Sequence, residues 1–500
     1  MTIKEISATR RALLKGVAGA STLPFVGALA ALQSHTALAA GGATALVPSP
    51  YGKIAPVDDL STGLPLLQLP RGFRYKSFGW RGDIMSDGKP CPAAHDGMGV
   101  VASRRRGLGT ELVLVRNHEV GLVASADVIN APAVYDSGDI GPRPPNKVGG
   151  GTTNLLFRDG HWAGMTPSLG GTAANCAGGV TPWGTWLSCE EVGLDLASSA
   201  GNKHGYVFEV AANPAETTGR PIVGMGRFAH EAVAVDPATG FVYQTEDDTG
   251  KSGLYRYVPD VRRGAPGSLA LGGVLQMARV KGELNTNLAP ASVDATYELE
   301  WIDIPHPDQN RGNSTGPTGI AVANASGPFV QGWAHGALRM NRGEGVWHTR
   351  GKLFVMDTAG GMVARGAIWE LDLATQVLRC IYSSPDPLVG NMGDNLTVSP
   401  RQAILICEDG TPAATDSFGF GQRLMGLTRQ GNSYIFAKNN VVLDAAQLRG
   451  AGKLEALAGD HRNREFAGAC FDPTGRYLFV NIYLPGITFA ITGPWARGPL

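Results

Sequence analysis

Residues 228–248, "FAHEAVAVDPATGFVYQTEDD", decide the fold of this chain. A run of small apolar residues leads into the turn "DPATG", and a more hydrophobic run then ends on Glu246, Asp247 and Asp248. Proline presets φ in such a turn and glycine accepts positive φ, so the two runs are predicted to form a β-hairpin. This hairpin ends on three adjacent negative charges.

The same layout recurs five more times at uneven spacing. The copies are "DGMGVVASRRRGLGTELVLVRNHE" (96–119), "GGVTPWGTWLSCEE" (178–191), "EGVWHTRGKLFVMDT" (344–358), "DNLTVSPRQAILICED" (394–409) and "AGACFDPTGRYLFVN" (467–481). A repeated hairpin is typical of a propeller. We therefore predict an all-β fold, a six-bladed β-propeller with extended loops and a few short helices, in which residues 40–500 form a single domain.

Composition excludes several classes of protein. The 500 residues are 43% hydrophobic, and 43 Lys and Arg balance 43 Asp and Glu. A net charge of zero gives no support for nucleic-acid binding or a polybasic membrane contact. The six cysteines show no paired spacing and do not indicate a disulfide framework. The 69 glycines and 32 prolines suit many short strands joined by turns.

Residues 1–39 are predicted to be a twin-arginine signal peptide. Arg10 and Arg11 precede a moderately apolar stretch, and Ala37-Leu38-Ala39 is a suitable cleavage site. A membrane anchor is the alternative, but three glycines and a proline within the stretch make it a weak span. We expect export by the twin-arginine machinery to the periplasm or the extracellular space, with no stable membrane insertion after cleavage.

Polar residues begin the first strand of each repeat and end the second. In a propeller the innermost strands surround one axis, so these positions are predicted to face each other. Two carboxylates about 4 Å apart repel by roughly 4 kcal/mol at an effective dielectric constant of 20. Five or more would exceed the ~5–15 kcal/mol stability of a domain unless cations lie between them. The alternative is that these acids cap turns on a solvated rim.

The donor types suggest which cations would bind. Oxygen ligands alone suit Ca²⁺, whereas His or Cys among the acids would admit a transition metal. Cys176 lies in the polar, glycine-rich segment "TAANCAGGV", where it is either a ligand or a buried thiol. The Gly-x-Ser-x-Gly, Walker and His-Glu-x-x-His motifs are absent from the sequence.

Several motifs together resemble the PhoX-type alkaline phosphatases. They are the twin-arginine signal, "RNHE", "NCAGGVTPWGTWLSCEE", "HGYVFEV", "FAHEAVAVDPATGFVYQTEDD", "GEGVWH", "GDNLTVSP", "CEDG" and "GRYLFVNIYLPGITFAITGPW". The resemblance runs from about residue 45 to the C-terminus. It implies a six-bladed propeller exported by the twin-arginine route that hydrolyses small-molecule phosphate monoesters and releases inorganic phosphate. It also implies Ca²⁺ ions and a pair of ferric ions, Fe³⁺, in the active site.

The resemblance also implies roles for individual residues. Cys176 would be the thiolate ligand to iron, Glu246 and Glu344 would bind metal, and Arg342 would hold the phosphoryl group next to Glu344. Looser candidates for the calcium ligands are Glu119, Glu191, Glu231, Asp394, Asn395, Glu408 and Asp409. Lys251 is a candidate for the phosphate-binding lysine of the family. The chain is short for the family, and "AHDG" (94–97) matches its first acidic motif weakly.

Two other functions remain open at this point. One is a calcium-dependent propeller hydrolase of another type, a lactonase or a phytase-like enzyme, with no iron. The other is a non-enzymatic propeller whose acids bind calcium for stability while one face binds a partner.

Overall fold

The structure is a computed structural model that describes residues 44–107, 109–123, 129–138, 140, 146–197, 201–412 and 416–500. The predicted signal peptide lies outside these residues. The described residues form one compact unit. In this part of the chain, each helix is too short or too polar to cross a membrane.

Thirty-two strands account for most of the described secondary structure. They are β1 Ile54–Val57, β2 Leu67–Pro70, β3 Arg74–Phe78, β4 His95–Arg106, β5 Gly109–His118, β6 Leu122–Val123, β7 Lys147–Val148, β8 Gly150–Arg158, β9 His161–Thr172, β10 Asn175–Val180, β11 Thr185–Glu190, β12 Val207–Ala211, β13 His230–Val235, β14 Val242–Glu246, β15 Leu254–Pro259, β16 Gly273–Val280, β17 Thr296–Asp303, β18 Gly312–Thr315, β19 Ala321–Ala325, β20 Gly343–Thr349, β21 Lys352–Asp357, β22 Ala367–Asp372, β23 Val377–Ser383, β24 Gly393–Val398, β25 Ile404–Glu408, β26 Arg423–Leu427, β27 Ser433–Asn439, β28 Val442–Leu443, β29 Gly459–Asp460, β30 Phe466–Phe471, β31 Leu478–Ile482 and β32 Ile487–Thr492.

Two short α-helices are described, α1 Gly327–Ala334 and α2 Ala445–Gly450. Ser326 caps α1 by accepting a hydrogen bond from the backbone N–H of Phe329, and Asp444 and Gln447 form a reciprocal capping box on α2. Four 3₁₀ turns lie wholly within the described residues, at Pro214–Glu216, Val223–Met225, Ser268–Leu271 and Trp495–Arg497. The prediction of an all-β fold with a few short helices is confirmed.

The main sheets are antiparallel and are built on the six hairpins seen in the sequence. Strands β4, β5, β8 and β9 form one sheet and β10–β12 another. Strands β13–β17 and β20–β23 share a nine-stranded sheet, joined where β17 pairs with β23. Strands β24–β27 continue into β2 and β1, and β30–β32 continue into β3.

The first strands of the six hairpins form a closed ring. In order, β4 contacts β10, then come β13, β20, β24 and β30, and β30 contacts β4 again. The second strands lie outside them, and β11, β14, β25 and β31 are buried along their whole length. Burial on both faces explains why these strands read as continuous hydrophobic runs rather than alternating ones.

An equivalent backbone hydrogen bond closes each of the six hairpins at the end of the ring where the first strands begin and the second strands end. The N–H of the residue after the second strand donates to the C=O of the residue before the first strand. The donor–acceptor pairs are Glu119–Ala94, Glu191–Ala174, Asp247–Ala229, Thr358–Arg342, Asp409–Met392 and Tyr483–Glu465, at 2.9–3.2 Å. Each first strand then shifts its register by a β-bulge within its first few residues. A bulge re-aims side chains, and it does so here at equivalent positions of the hairpins.

Candidate metal centre

The second residue of the first strand has a side chain capable of binding a metal ion in five of the six hairpins. These residues are Asp96, Cys176, Glu231, Glu344 and Asp394, and the sixth hairpin has Ala467 at this position. Each one immediately precedes or lies within the bulge. The repeated backbone geometry therefore delivers one polar side chain per hairpin to the same end of the ring.

A second set comes from the residue that follows the second strand. It supplies Glu119, Glu191, Asp247 and Asp409, whose backbone N–H groups make the closing bonds described above. Glu465, which precedes β30, adds a further carboxylate from the sixth hairpin. Carboxylates from both sets lie within a few ångströms of one another.

Three overlapping groups of side chains have ligand atoms within 4.8 Å of one another. The groups are Cys176, Glu191 and Glu231; then Glu231, Glu344 and Asp394; then Asp394, Asp409 and Glu465. Asp96 joins them because its Oδ2 lies 3.7 Å from Cys176 Sγ. Glu119 is also included, because burial and then the nearby Asp409 carboxylate raise its pKa. We call these nine residues the acidic centre: Asp96, Glu119, Cys176, Glu191, Glu231, Glu344, Asp394, Asp409 and Glu465.

Burial and mutual repulsion disfavour the charged forms of these acids. Burial comes first, and neighbouring carboxylates then raise the pKa values of Asp96, Glu191, Glu231, Glu344 and Glu465 well above their ordinary range. The pKa of Asp394 rises to about 7 for the same reasons, burial and then Asp409. In addition, Glu231 Oε2 is buried without a hydrogen-bond donor or an ion-pair partner among the described residues. A buried carboxylate oxygen of this kind needs a cation to offset its lost hydration.

Arg342 is the basic side chain that contacts the acidic centre. Its Nε and Nη2 donate to the two carboxylate oxygens of Asp247 at 2.9 and 2.6 Å, a bidentate pair. Nη2 also lies 2.8 Å from Glu344 Oε1, but off the N–H direction, so that contact is an ion pair rather than a hydrogen bond. Burial alone would lower the pKa of Arg342, but Asp247 and Glu344 outweigh it and raise the pKa.

The chemistry of the donor set fits metal ions of two kinds. The two groups that share Asp394 offer only carboxylate oxygens, the ligands that Ca²⁺ prefers. The group around Cys176 offers a thiol sulfur beside two carboxylates, a mixed set suited to a transition metal. Burial and the adjacent carboxylate of Asp96 raise the pKa of the Cys176 thiol well above its ordinary value. A bound cation would reverse that shift, because it stabilises the thiolate.

Two predicted ligands, Glu246 and Glu408, are not brought into the acidic centre. Each is the last residue of its strand. Glu246 Oε2 accepts from Tyr255 Oη at 2.6 Å and from the N–H of Gly253 at 3.2 Å. Glu408 pairs with Arg423 at 2.6 Å and accepts from the N–H of Asn391 at 2.7 Å. Successive residues of a strand point to opposite sides, so the neighbouring Asp247 and Asp409 face the ring instead.

Asn395 and Lys251 occupy supporting positions. Asn395 Nδ2 donates to Glu231 Oε1 and Asp394 Oδ1, both at 3.2 Å, and its Oδ1 accepts from the N–H of Gly468 at 2.8 Å. Its amide oxygen is thus engaged by the backbone, and the side chain orients two acids. Lys251 Nζ lies 3.1 Å from Asp248 Oδ1.

Sequence reasoning left three residues of this region out of the candidate ligands. Asp96 and Glu465 belong to the acidic centre, and Asp247 holds Arg342. A signal for Asp96 was present, because it occupies the same place in its hairpin as Cys176 does. Asp247 differs by one position from the predicted Glu246, and in a run of three adjacent acids the sequence does not show which one faces the ring.

A separate buried group surrounds Arg116. Cys91, His95 and His118 have ligand atoms within 4.8 Å of one another, but the Arg116 guanidinium lies among them, 3.1 Å from Cys91 Sγ and 3.2 Å from His95 Nδ1. Burial and then Arg116 lower the pKa values of both histidines, which keeps them neutral. A cation is already present, so this group does not fit a metal ion.

Comparisons with known proteins identify the family to which the chain belongs. The profile of the family described as "Alkaline phosphatase PhoX" matches residues 49–164 and 144–486. None of the curated proteins matches the chain. Among solved structures, Pseudomonas fluorescens PhoX in complex with vanadate, a transition state analogue, is similar with a TM-score of 0.60 and 16% identity, covering 92% of this chain and 99% of that chain. A gluconolactonase from Xanthomonas campestris matches with a TM-score of only 0.32 and 13% identity, over 81% of this chain and 97% of that chain, which supports no argument. The chain therefore belongs to the alkaline phosphatase PhoX family and is a metal-dependent alkaline phosphatase.

Proposed function

We propose that the acidic centre binds Ca²⁺ and a ferric pair, and that the enzyme uses them to hydrolyse phosphate monoesters to inorganic phosphate. The observation that supports this is the convergence of eight carboxylates and one thiol, from five of the six hairpins and the residue before β30, at one end of the ring. Glu231 and Asp394 each belong to two groups and would contribute a carboxylate to both. Cys176, Glu191 and Glu231 would hold iron, and the oxygen-only groups would hold calcium.

The bound cations would neutralise the negative charge of the phosphate and of the transition state. Side chains of the protein orient the guanidinium of Arg342. Asp247 fixes the guanidinium of Arg342 through Nε and Nη2. Among the described residues Nη1 has no acceptor, so it is free to donate to a phosphoryl oxygen. Glu344 forms an ion pair with Nη2 of the same guanidinium. Asn395 orients Glu231 and Asp394 by donating to both.

The remaining parts of the proposal concern architecture and export. The closed ring of six hairpins, each extended by outer strands, supports a six-bladed β-propeller formed by residues 40–500. The arginine pair at Arg10 and Arg11 supports a signal peptide over residues 1–39 and export by the twin-arginine machinery to the periplasm or beyond. Folding before export would allow the ions to be loaded first.

The experiment combines elemental analysis with nitrophenyl phosphate hydrolysis before and after chelation. Glu231→Gln should lower activity at least about a hundredfold and reduce the metal content, since Glu231 belongs to two groups. Glu246→Gln is the matched control, an equally buried acid outside the centre, and should keep its metals. Loss of metal from both variants alike, or chelator-resistant activity, would contradict the proposed ligand set. Calcium without iron would favour the iron-free hydrolase.

A further inference from the structure

A basic cleft opens on the surface far from the acidic centre in the fold. It has a volume of about 230 Å³, and its polar lining includes Arg74, Lys76, His161, Arg476 and Tyr477. We call these five residues the basic cleft. Phe157, Tyr75 and Ala490 form its apolar floor.

Strand register places the basic cleft at the end of the strands opposite to the acidic centre. Arg74 pairs with Thr492, the last residue of β32. The first residue of β32, Ile487, pairs with Ile482, which lies next to the hydrogen bond that closes the sixth hairpin. His161 pairs with Arg158 at the turn between β8 and β9, which is the C-terminal end of β8. The N-terminal end of β8 lies beside His118, at the same end of the ring as the acidic centre. A ligand in this cleft would therefore occupy a second site, separate from the catalytic one.

The cations of the cleft have no carboxylate partner. Among the described residues Arg74, Lys76 and Arg476 form no ion pair, and Asp159, the acid in the lining, uses Oδ1 to accept from the N–H of Thr110 at 2.9 Å. Burial and then the nearby positive charge of Arg74 lower the pKa of Lys76.

Lys76 and Arg476 each contact a neighbouring group of the cleft. Lys76 Nζ donates to the C=O of Gly160 at 2.8 Å and lies 2.9 Å from His161 Nδ1, which leaves a third proton for a ligand. The Arg476 guanidinium lies 5.3 Å from the centre of the Tyr477 ring. A Cβ at Gly160 would lie 2.7 Å from the Tyr477 hydroxyl, so only glycine lets this ring approach so closely.

We propose that the basic cleft binds a phosphate group, either free inorganic phosphate or the phosphate of a lipid head group. A tetrahedral oxyanion matches the chemistry present, because two arginines, one lysine and one tyrosine line a cleft of about 230 Å³. Charge-assisted hydrogen bonds from Arg and Lys to phosphate are the strong ones, and the aromatic and apolar floor would exclude water beneath it.

The test measures the binding of inorganic phosphate by calorimetry in an Arg342→Gln background, which removes the guanidinium proposed to hold phosphate at the acidic centre, and in the presence of a chelator, which removes the bound cations. Lys76→Gln combined with Arg476→Gln should weaken the remaining site at least tenfold, since it removes two charge-assisted bonds. Tyr477→Phe, which removes only a hydroxyl, should weaken it a few-fold. With Arg342 intact, the double variant should hydrolyse nitrophenyl phosphate at the normal rate, because the cleft is not the catalytic site.

Arg104→Gln with Arg105→Gln is the matched control, since it removes two exposed cations from the same end of the sheet without touching the cleft. A second arm measures binding to phosphatidylglycerol vesicles against phosphatidylcholine vesicles. Weaker phosphate binding in the cleft variant alone identifies the free anion, and weaker vesicle binding alone identifies the lipid. Equal behaviour of cleft variant, control and parent protein in both arms overturns the proposal.

Discussion

At the scale of single residues, an acid's position relative to the end of its strand determines its role. The last residue of the second strand turns away from the ring and accepts backbone N–H groups. Glu190, for example, accepts from Ala173 and Gly205, and Asp357 accepts from Asn341. The residue one position later faces the acidic centre in four hairpins. Paired acids such as "CEE" and "CED" therefore combine a structural acid with a candidate ligand.

Cys176 allows this distinction to be tested with a spectroscopic readout. We expect Cys176→Ser to lose iron and any visible absorption from a ferric–thiolate bond, while its oxygen-bound calcium is retained better. Cys189→Ser is the control, because Cys189 is an equally buried thiol on β11 outside the acidic centre. Metal content and the visible spectrum are measured together. An unchanged spectrum and iron content in Cys176→Ser would show that Cys176 is a buried thiol only.

His204 gives a prediction about pH. Burial lowers its pKa, but hydrogen bonds to Glu190, with Nδ1 to Oε1 at 2.6 Å, and to Asp136 outweigh burial and raise it overall. The stabilisation is then fully present below the unfolded-state pKa of about 6.5 and is lost as pH rises through the folded-state value. His204→Asn should cost about 3 kcal/mol near pH 6 and less at alkaline pH. Thermal unfolding of both proteins from pH 5.5 to 9 checks this, and a gap that widens with pH would refute it.

At the scale of elements, the six hairpins were predictable because their signals are local. Turns such as "DPATG" and "DPTGR" specify a hairpin within about fifteen residues, and the strand after each turn is continuously hydrophobic. The outer strands depend on distant partners. The pairing of β3 with β32 joins the two ends of the described chain, and β17 pairs with β23 across the segment that contains α1. Neither pairing follows from a local pattern.

Asn117 shows how one element positions another. Its Nδ2 donates to the C=O groups of Cys176 and Ala177 at 2.8 and 2.7 Å, and its Oδ1 accepts from Trp186 and Ser188. The side chain therefore ties β5 to the bulge in β10 that presents Cys176. A buried amide with all its partners satisfied rigidifies the elements it joins.

Asn117→Ala should cost about 2–4 kcal/mol of stability and also reduce iron content and activity. Asn154→Ala is the matched control, because Asn154 donates the same pair of hydrogen bonds to the C=O groups of Ala211 and Ala212, away from the acidic centre. Both variants should lower the melting temperature, but only Asn117→Ala should lower the ratio of iron to protein. Equal loss of iron from both would mean that the effect is general destabilisation.

At the scale of the whole molecule, the fold concentrates negative charge in a protein with no net charge. The acids come from hairpins spread between residues 96 and 465, and the closed ring brings them within a few ångströms. The sequence predicted this convergence from the repeat, but it could not assign ligands, because residues on different hairpins share no fixed spacing. Without cations, repulsion among the carboxylates of the acidic centre opposes closure of the ring. The hydrophobic contacts between the sheets favour that closure.

This opposition predicts that one substitution changes stability in opposite directions with and without metal. Asp394 is shared by two groups, so Asp394→Asn removes repulsion from the metal-free protein and a ligand from the metal-bound protein. We expect its melting temperature to be higher than that of the parent protein in chelator and lower in excess Ca²⁺, where binding adds about 2.7 kcal/mol at a hundred times the dissociation constant. Asp386→Asn, on the loop before β24 where its Oδ1 accepts from the N–H of Leu388, is the control and should shift both temperatures in the same direction. If Asp394→Asn lowers the melting temperature equally in both conditions, the acids are not strained by their proximity, and the reason for placing cations between them disappears.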